Sequence, residues 1–189
     1  MRRLVTCALL ASGIVTAGFG QVDKKKLMGN NPQSPPTETS VTIGGKQLWI
    51  VYHAPSVRGR KIFGGADALQ PDDTVWRTGA DSATVLHTDA DLDINGLAVP
   101  AGDYSLFVAL DKGKWQLIVN KQTGQWGIKR DGSANFDESK NVGKVAMTMS
   151  KPPALVEQFK ITLSPAGGNK GKLQLEWENL AASVPLAVK

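Results

Sequence analysis

Cysteine is nearly absent from this chain of 189 residues, and Cys7, the only one, lies near the N-terminus. An internal disulfide is therefore excluded, and the fold must be held together by its apolar core. Zinc ligands are equally scarce, because His53 and His87 are the only histidines. We assign no metal site and expect no cofactor. Calcium alone stays open, since several aspartates fall in loops, although none has the spacing of an EF-hand.

Long hydrophobic runs are also missing, except at the N-terminus. Residues 1–20 begin with Arg2 and Arg3, continue with an apolar run over 4–19, and end in small residues before Gln21. This pattern predicts a secretory signal peptide, and hence an exported protein in the periplasm or outside the cell. A retained membrane anchor is the weaker alternative, because the run is short and contains two glycines.

Charge of one sign is not concentrated anywhere. The formal net charge is +5, and it falls to +3 if Arg2 and Arg3 are removed with the signal peptide. No basic run follows Lys24–Lys26, so nucleic-acid binding is not expected. Residues 21–38 contain that lysine triplet, three prolines and few apolar side chains. This composition predicts a flexible linker.

Residues 39–189 show about ten short strand patterns separated by turn signals, with no long amphipathic helix. The Asn95-Gly96 pair between Asp91–Ile94 and Leu97–Val99 predicts a tight hairpin, because both residues accept positive φ angles. Strand patterns surround Trp49, Trp115 and Trp177, which we assign to the core. The whole pattern predicts a single all-β domain, an antiparallel β-sandwich, with a barrel-like arrangement as the alternative.

Two long segments, 53–73 and 121–141, interrupt the short connections, and long loops in compact domains are often functional. The first holds Arg58 and Arg60, and Arg77 follows soon after. Guanidinium groups bind carboxylates and phosphates through paired hydrogen bonds, so these arginines are candidates for an anionic or hydroxyl-rich ligand. The alternative is structural, with the arginines paired to nearby aspartates or to Glu138.

The other candidates are His53, which follows a strand pattern directly, and Glu138, which lies in the second long segment. Either residue could accept a hydrogen bond from a ligand or act as a general base. Trp76 and Trp126 border the long segments, where an aromatic ring beside an arginine would suit stacking on a ligand. For Trp126 the alternative is a plug at the end of the sandwich.

Six segments occur in an order that is specific to one family. They are GRKIFGG (59–65), VWRTGA (75–80), PAGDYSLF (100–107), QWG (125–127), DESK (137–140) and LEWE (175–178). They resemble a bacterial domain of unknown function, number twenty-nine eleven, over about residues 34–188. The resemblance implies an all-β domain and a family whose members are often exported, and it brings no activity. Members usually carry Asn at the position of Asp81, and often Arg at the position of Ala54.

Three hypotheses about function follow. The first is an exported β-sandwich that binds a small anionic or glycan-like ligand through His53, Arg58, Arg60, Trp76, Arg77, Trp126 and Glu138. The second is an envelope hydrolase with His53 or Glu138 as the base, which requires His53 to lie near a serine or a carboxylate. The third is a structural or interaction module, which predicts no well-formed pocket and an exposed apolar patch or edge strand.

Overall fold

A computed structural model describes residues 23–29 and 31–189. The predicted signal peptide, residues 1–20, lies outside the described residues. Among the described residues, no helix is long and apolar enough to cross a membrane.

The described chain forms thirteen strands, one short α-helix and one 3-10 helix, Glu138–Lys140. The elements run in the order α1 Lys24–Met28, β1 Pro36–Ile43, β2 Lys46–His53, β3 Thr74–Trp76, β4 Thr84–Thr88, β5 Leu92–Ile94, β6 Leu97–Val99, β7 Gly102–Leu110, β8 Gln116–Asn120, β9 Asn141–Ala146, β10 Thr148–Ser150, β11 Val156–Pro165, β12 Lys170–Glu178 and β13 Leu180–Val188. The predicted all-β class is confirmed.

The strands form two antiparallel sheets. The first has the order β1-β2-β4-β7-β8-β9, with β3 paired to β7, and the second has the order β11-β12-β13-β5-β6, with β10 paired to β13. The sheets do not close into a barrel, so the sandwich is confirmed over the barrel-like alternative. The predicted Asn-Gly hairpin is also present. Strand β5 pairs with β6, with Leu92 opposite Val99 and Ile94 opposite Leu97.

The core lies between the sheets because alternate side chains of each strand face inward. In β12, Leu173, Leu175 and Trp177 point to the core and are almost fully buried. Trp177 joins an aromatic cluster with Phe63, Trp76 and Phe159. Trp49 and Trp115 are buried as well, as the strand patterns predicted.

Trp49 belongs to a smaller apolar cluster with Leu27, Val51 and Val85, outside the main core. Leu27 comes from α1, so this helix covers a patch of the first sheet.

Secondary structure occupies part of the segment 21–38, for which the composition predicted a flexible linker. The Asp23 side chain caps α1 by accepting a hydrogen bond from the Lys25 amide, and Leu27 is buried. Strand β1 already begins at Pro36, which pairs with His53. The prediction overlooked these elements because one buried leucine and a proline-rich strand start leave almost no periodic pattern.

Candidate functional site

A cavity of about 1000 Å³ lies where three parts of the chain meet: the start of the first long segment, the turn after β3, and the second long segment. We call it the arginine cavity. Five of the seven predicted ligand-binding residues line it: Arg58, Arg60, Trp76, Arg77 and Glu138. The fold therefore brings together three segments that are far apart in sequence. Other charged residues in the lining are Asp73, Lys129 and Asp131.

Arg58 lies at a sharp turn that fixes its backbone. Its φ of 49° is in the left-handed region, and its amide donates to Glu157 Oε1 at 2.9 Å. The side chain is exposed, and its guanidinium has no ion-pair or hydrogen-bond partner among the described residues. The turn thus presents a free guanidinium to the cavity.

Arg60 has a structural role in its own loop. Its Nε donates to the Val57 carbonyl at 3.0 Å, and its Nη2 donates to the Ser56 carbonyl at 2.6 Å. The predicted structural alternative therefore applies to Arg60, although its partners are backbone carbonyls instead of aspartates. Its remaining N–H groups still border the cavity.

Arg77 is half-buried, and its side chain is held by Trp126. Its Nη1 donates to the Trp126 carbonyl at 3.1 Å, and its guanidinium carbon lies 5.3 Å from the centre of the Trp126 ring. Burial lowers the pKa of Arg77, and the charge of Asp81 partly offsets that effect. No carboxylate of the described chain lies within ion-pair distance of Arg77, so a partly desolvated cation with unused donors borders the cavity.

Asp81, a predicted partner of the arginine cluster, is engaged elsewhere. Its two carboxylate oxygens accept hydrogen bonds from the amides of Gln33 and Ser34, at 3.3 and 2.9 Å. Glu138, the other acidic candidate, is exposed at the cavity, and its carboxylate has no hydrogen-bond or ion-pair partner among the described residues. The ion pairs of the structural alternative are therefore not formed in the described part of the chain.

The two tryptophans take different positions. Trp76 is only 2% exposed. It donates from its indole N–H to the Gly79 carbonyl at 3.1 Å and stacks on Trp177 at 5.8 Å. Trp76 thus forms part of the cavity floor and offers no open stacking face at the rim. Trp126 is 55% exposed; it lies outside the lining and contacts the site through Arg77.

His53 does not line the cavity. It is 2% exposed and lies beneath α1. Its Nε2 is 3.2 Å from the Met28 carbonyl oxygen, and its Nδ1 is 3.4 Å from Ser82 Oγ. The serine contact required by the hydrolase hypothesis is thus present at a long distance, but Ser82 also donates to the Leu27 carbonyl. His53 is buried and neither residue lines the cavity, so a ligand in the cavity does not contact the pair.

Comparison with models of known protein families shows the family of this chain. The model of a family described as a protein of unknown function (DUF2911) matches residues 34–186. The chain belongs to this family. No curated protein and no solved structure matches it.

The DUF2911 match covers nearly all of the cavity lining, including the segments of Arg58, Arg77 and Glu138. Sequence reasoning missed the contribution of Gln33, Ser34 and Pro35, which also line the cavity. No signal marked these residues, because they lie in the segment whose composition predicted a linker.

Metal ligands do not cluster in the described part of this DUF2911 chain. No three of its histidine, aspartate and glutamate side chains come together in a way that could hold an ion.

Proposed function

We propose that this DUF2911 domain binds a small anionic or glycan-like ligand in the arginine cavity. The volume of about 1000 Å³ is at the upper end of the range typical of small-molecule sites. A purely structural module has no need of such a cavity, and a ligand accounts for it.

The observation that carries the proposal is the state of Arg77. Burial of a cation is costly unless an anion pairs with it. Arg77 is half-buried and has no ion pair in the described chain. A carboxylate or phosphate in the cavity would supply the missing partner, and such charge-assisted hydrogen bonds contribute about 1.5–3 kcal/mol each.

The rest of the lining suits a ligand that also carries hydroxyl groups. Arg58 provides free donors, while Glu138 and Asp73 provide carboxylate acceptors. Trp76 supplies an apolar floor. A carboxylated sugar combines the features that this lining can recognise.

The test is a calorimetric titration with glucuronate, which is anionic and hydroxyl-rich, and with neutral glucose as the matched probe. We expect wild-type protein to bind glucuronate more tightly than glucose, at millimolar concentrations or below. Arg77→Ala should weaken glucuronate binding about tenfold or more. The control is Arg130→Ala, because Arg130 is an exposed arginine of the second long segment that does not line the cavity.

Two results would overturn the proposal. One is the absence of saturable heat with glucuronate and with inorganic phosphate for wild-type protein. The other is equal affinity in Arg77→Ala and Arg130→Ala. Either result would favour a structural or interaction module without a ligand.

We also propose that the protein is exported, on the pattern of residues 1–20. Expression in a bacterial host, followed by mass spectrometry of the periplasmic fraction, tests this directly. A chain that begins at Gln21 supports export, whereas a full-length chain confined to the cytoplasm contradicts it.

A further inference from the structure

The N-terminal strap, which we define as residues 23–29 and 31–35, forms one wall of the arginine cavity. Gln33, Ser34 and Pro35 supply that wall. The helix within the strap, α1, has five residues, and a helix this short is not stable on its own. The position of the strap therefore depends on its contacts with the sandwich.

Apolar side chains and one cation hold the helical part of the strap, and Met28 is partly buried against the same cluster as Leu27. Leu27 is buried against Trp49, Val51 and Val85. Lys24 Nζ lies 4.4 Å from the centre of the Trp49 ring and 2.6 Å from Glu38 Oε1. Leu27 is the only buried residue of α1, so a single substitution there should unseat the helix.

Polar contacts join the strap to the turn after β3 and to the end of β2. The Leu27 carbonyl accepts a hydrogen bond from Ser82 Oγ at 3.2 Å, and the Met28 carbonyl accepts one from His53. Further along, the Gln33 and Ser34 amides donate to Asp81. Two consecutive residues, Asp81 and Ser82, thus bind both parts of the strap.

Asp81 also connects the strap with Arg77. Arg77 and Asp81 belong to the same turn, which the Thr84 amide closes by donating to the Arg77 carbonyl at 3.5 Å. The charge of Asp81 raises the pKa of Arg77, although the two side chains do not form an ion pair. While the strap is seated, the Asp81 oxygens are occupied by the two amides. Without those amides, the Asp81 carboxylate would be free to pair with Arg77 in the same turn.

We propose that the strap controls the arginine cavity. The seated strap occupies Asp81 and leaves Arg77 free for an anion, whereas the unseated strap releases Asp81 to pair with Arg77 and opens one wall. The effect on ligand affinity rests on the proposed function. The exchange of partners at Asp81 does not rest on that function, and it can be measured without a ligand.

The first measurement uses Leu27→Asp, which places a charge in the apolar anchor. Leu155→Asp is the matched control, because Leu155 is 55% exposed. We expect hydrogen exchange at the Gln33 and Ser34 amides to become at least tenfold faster in Leu27→Asp and to stay unchanged in the control. The Arg77 Nε–H resonance should shift in Leu27→Asp only, and Asp81→Asn in that background should reverse the shift. Unchanged exchange, or an unchanged Arg77 resonance, overturns the proposal.

The second measurement is glucuronate affinity. We expect Leu27→Asp to bind about tenfold more weakly than wild type, and the double variant with Asp81→Asn to regain part of the loss, because an amide does not compete as an anion. If Leu27→Asp binds as tightly as wild type, the strap does not control the cavity, while the proposed function stands. If wild type binds no anion, the proposed function fails, and the first measurement still decides whether the strap sets the partner of Arg77.

Discussion

At the scale of single residues, the contact between Trp126 and Arg77 depends on Gly127, in the QWG segment. It has a φ of 90°, and a Cβ atom at this position would lie 3.0 Å from Arg77 Cβ and Cδ and 3.1 Å from Ala83 Cβ. The glycine therefore lets Trp126 and Arg77 approach each other.

Gly127→Ala should destabilise the domain and displace Arg77. Gly124→Ala is the matched control, because Gly124 has a φ of 81° and no atom within 4 Å of the added Cβ. Each substitution should lower the free energy of unfolding by about 1–2 kcal/mol, because alanine disfavours the left-handed backbone. Gly127→Ala should lower it by about 1 kcal/mol more, because the added Cβ makes close contacts. Urea denaturation measures the difference. Equal losses in the two variants would show that the contact with Arg77 is unimportant.

A second residue-scale prediction concerns His87, on the outer side of the first sheet. Its ring stacks on Trp49 at 4.8 Å, with Nδ1 2.7 Å from Asp103 Oδ1 and Nε2 2.9 Å from Asp89 Oδ1. The hydrogen bond from His87 is the main reason that the pKa of Asp89 lies below its usual range. A carboxyl with a lowered pKa stabilises the fold above about pH 4, and that contribution disappears as the pH falls through the folded-state pKa.

His87→Gln should therefore raise the pKa of Asp89 towards about 3.9 and make the domain less resistant to acid. Carboxyl ¹³C NMR measures the pKa. Asp93 provides the internal control, because the pKa of its carboxyl is lowered by Gly96 and Lys189 and should not move. An Asp89 titration that is unchanged in His87→Gln would contradict this assignment.

At the scale of elements, the two sheets are linked by side chains of β1 and β2 that hydrogen-bond to the backbone of β11. The Tyr52 hydroxyl, from β2, accepts a hydrogen bond from the Ile161 amide at 3.1 Å. Thr39 Oγ1, from β1, accepts one from the Leu163 amide. Burial raises the pKa of Tyr52, so the hydroxyl stays neutral. These contacts satisfy amides on the edge strand of the second sheet.

Tyr52→Phe should lower the free energy of unfolding by about 1–3 kcal/mol, because it leaves the buried Ile161 amide without an acceptor. Tyr104→Phe should lower the free energy of unfolding by less. The Tyr104 hydroxyl donates to the carbonyl of exposed Pro100, and water can replace that donor. Thermal or urea denaturation of the two variants gives the comparison. A loss in Tyr104→Phe that equals or exceeds the loss in Tyr52→Phe would contradict this role of Tyr52.

The elements also show what sequence could predict. The β5–β6 hairpin was predictable because Asn95 and Gly96 determine their turn locally. The start of β1 and the position of α1 were not, because they depend on pairing with His53 and on burial of Leu27. For the same reason His53 was predicted as a ligand residue: nothing in its neighbourhood along the chain shows that α1 covers it.

At the scale of the whole molecule, the arginine cavity brings together residues from three segments that are distant in sequence. Residue types made the three arginines candidates for a ligand site, but they did not show which arginines would be free. Which arginines are free depends on tertiary contacts. Arg60 donates hydrogen bonds to backbone carbonyls of its own loop, and Asp81 accepts hydrogen bonds from amides of the strap. Arg77 and Arg58 are therefore the guanidinium groups available to a ligand.

The most direct test is an NMR titration of wild-type protein with glucuronate, observed at the tryptophan indole and arginine Nε–H resonances. We expect saturable shifts at Arg77, Trp76 and Trp177, which border the cavity, and none at Trp49, which belongs to a separate apolar cluster outside the main core. Shifts that fail to saturate, or that appear at Trp49 and not at Arg77, would contradict a ligand site in the arginine cavity.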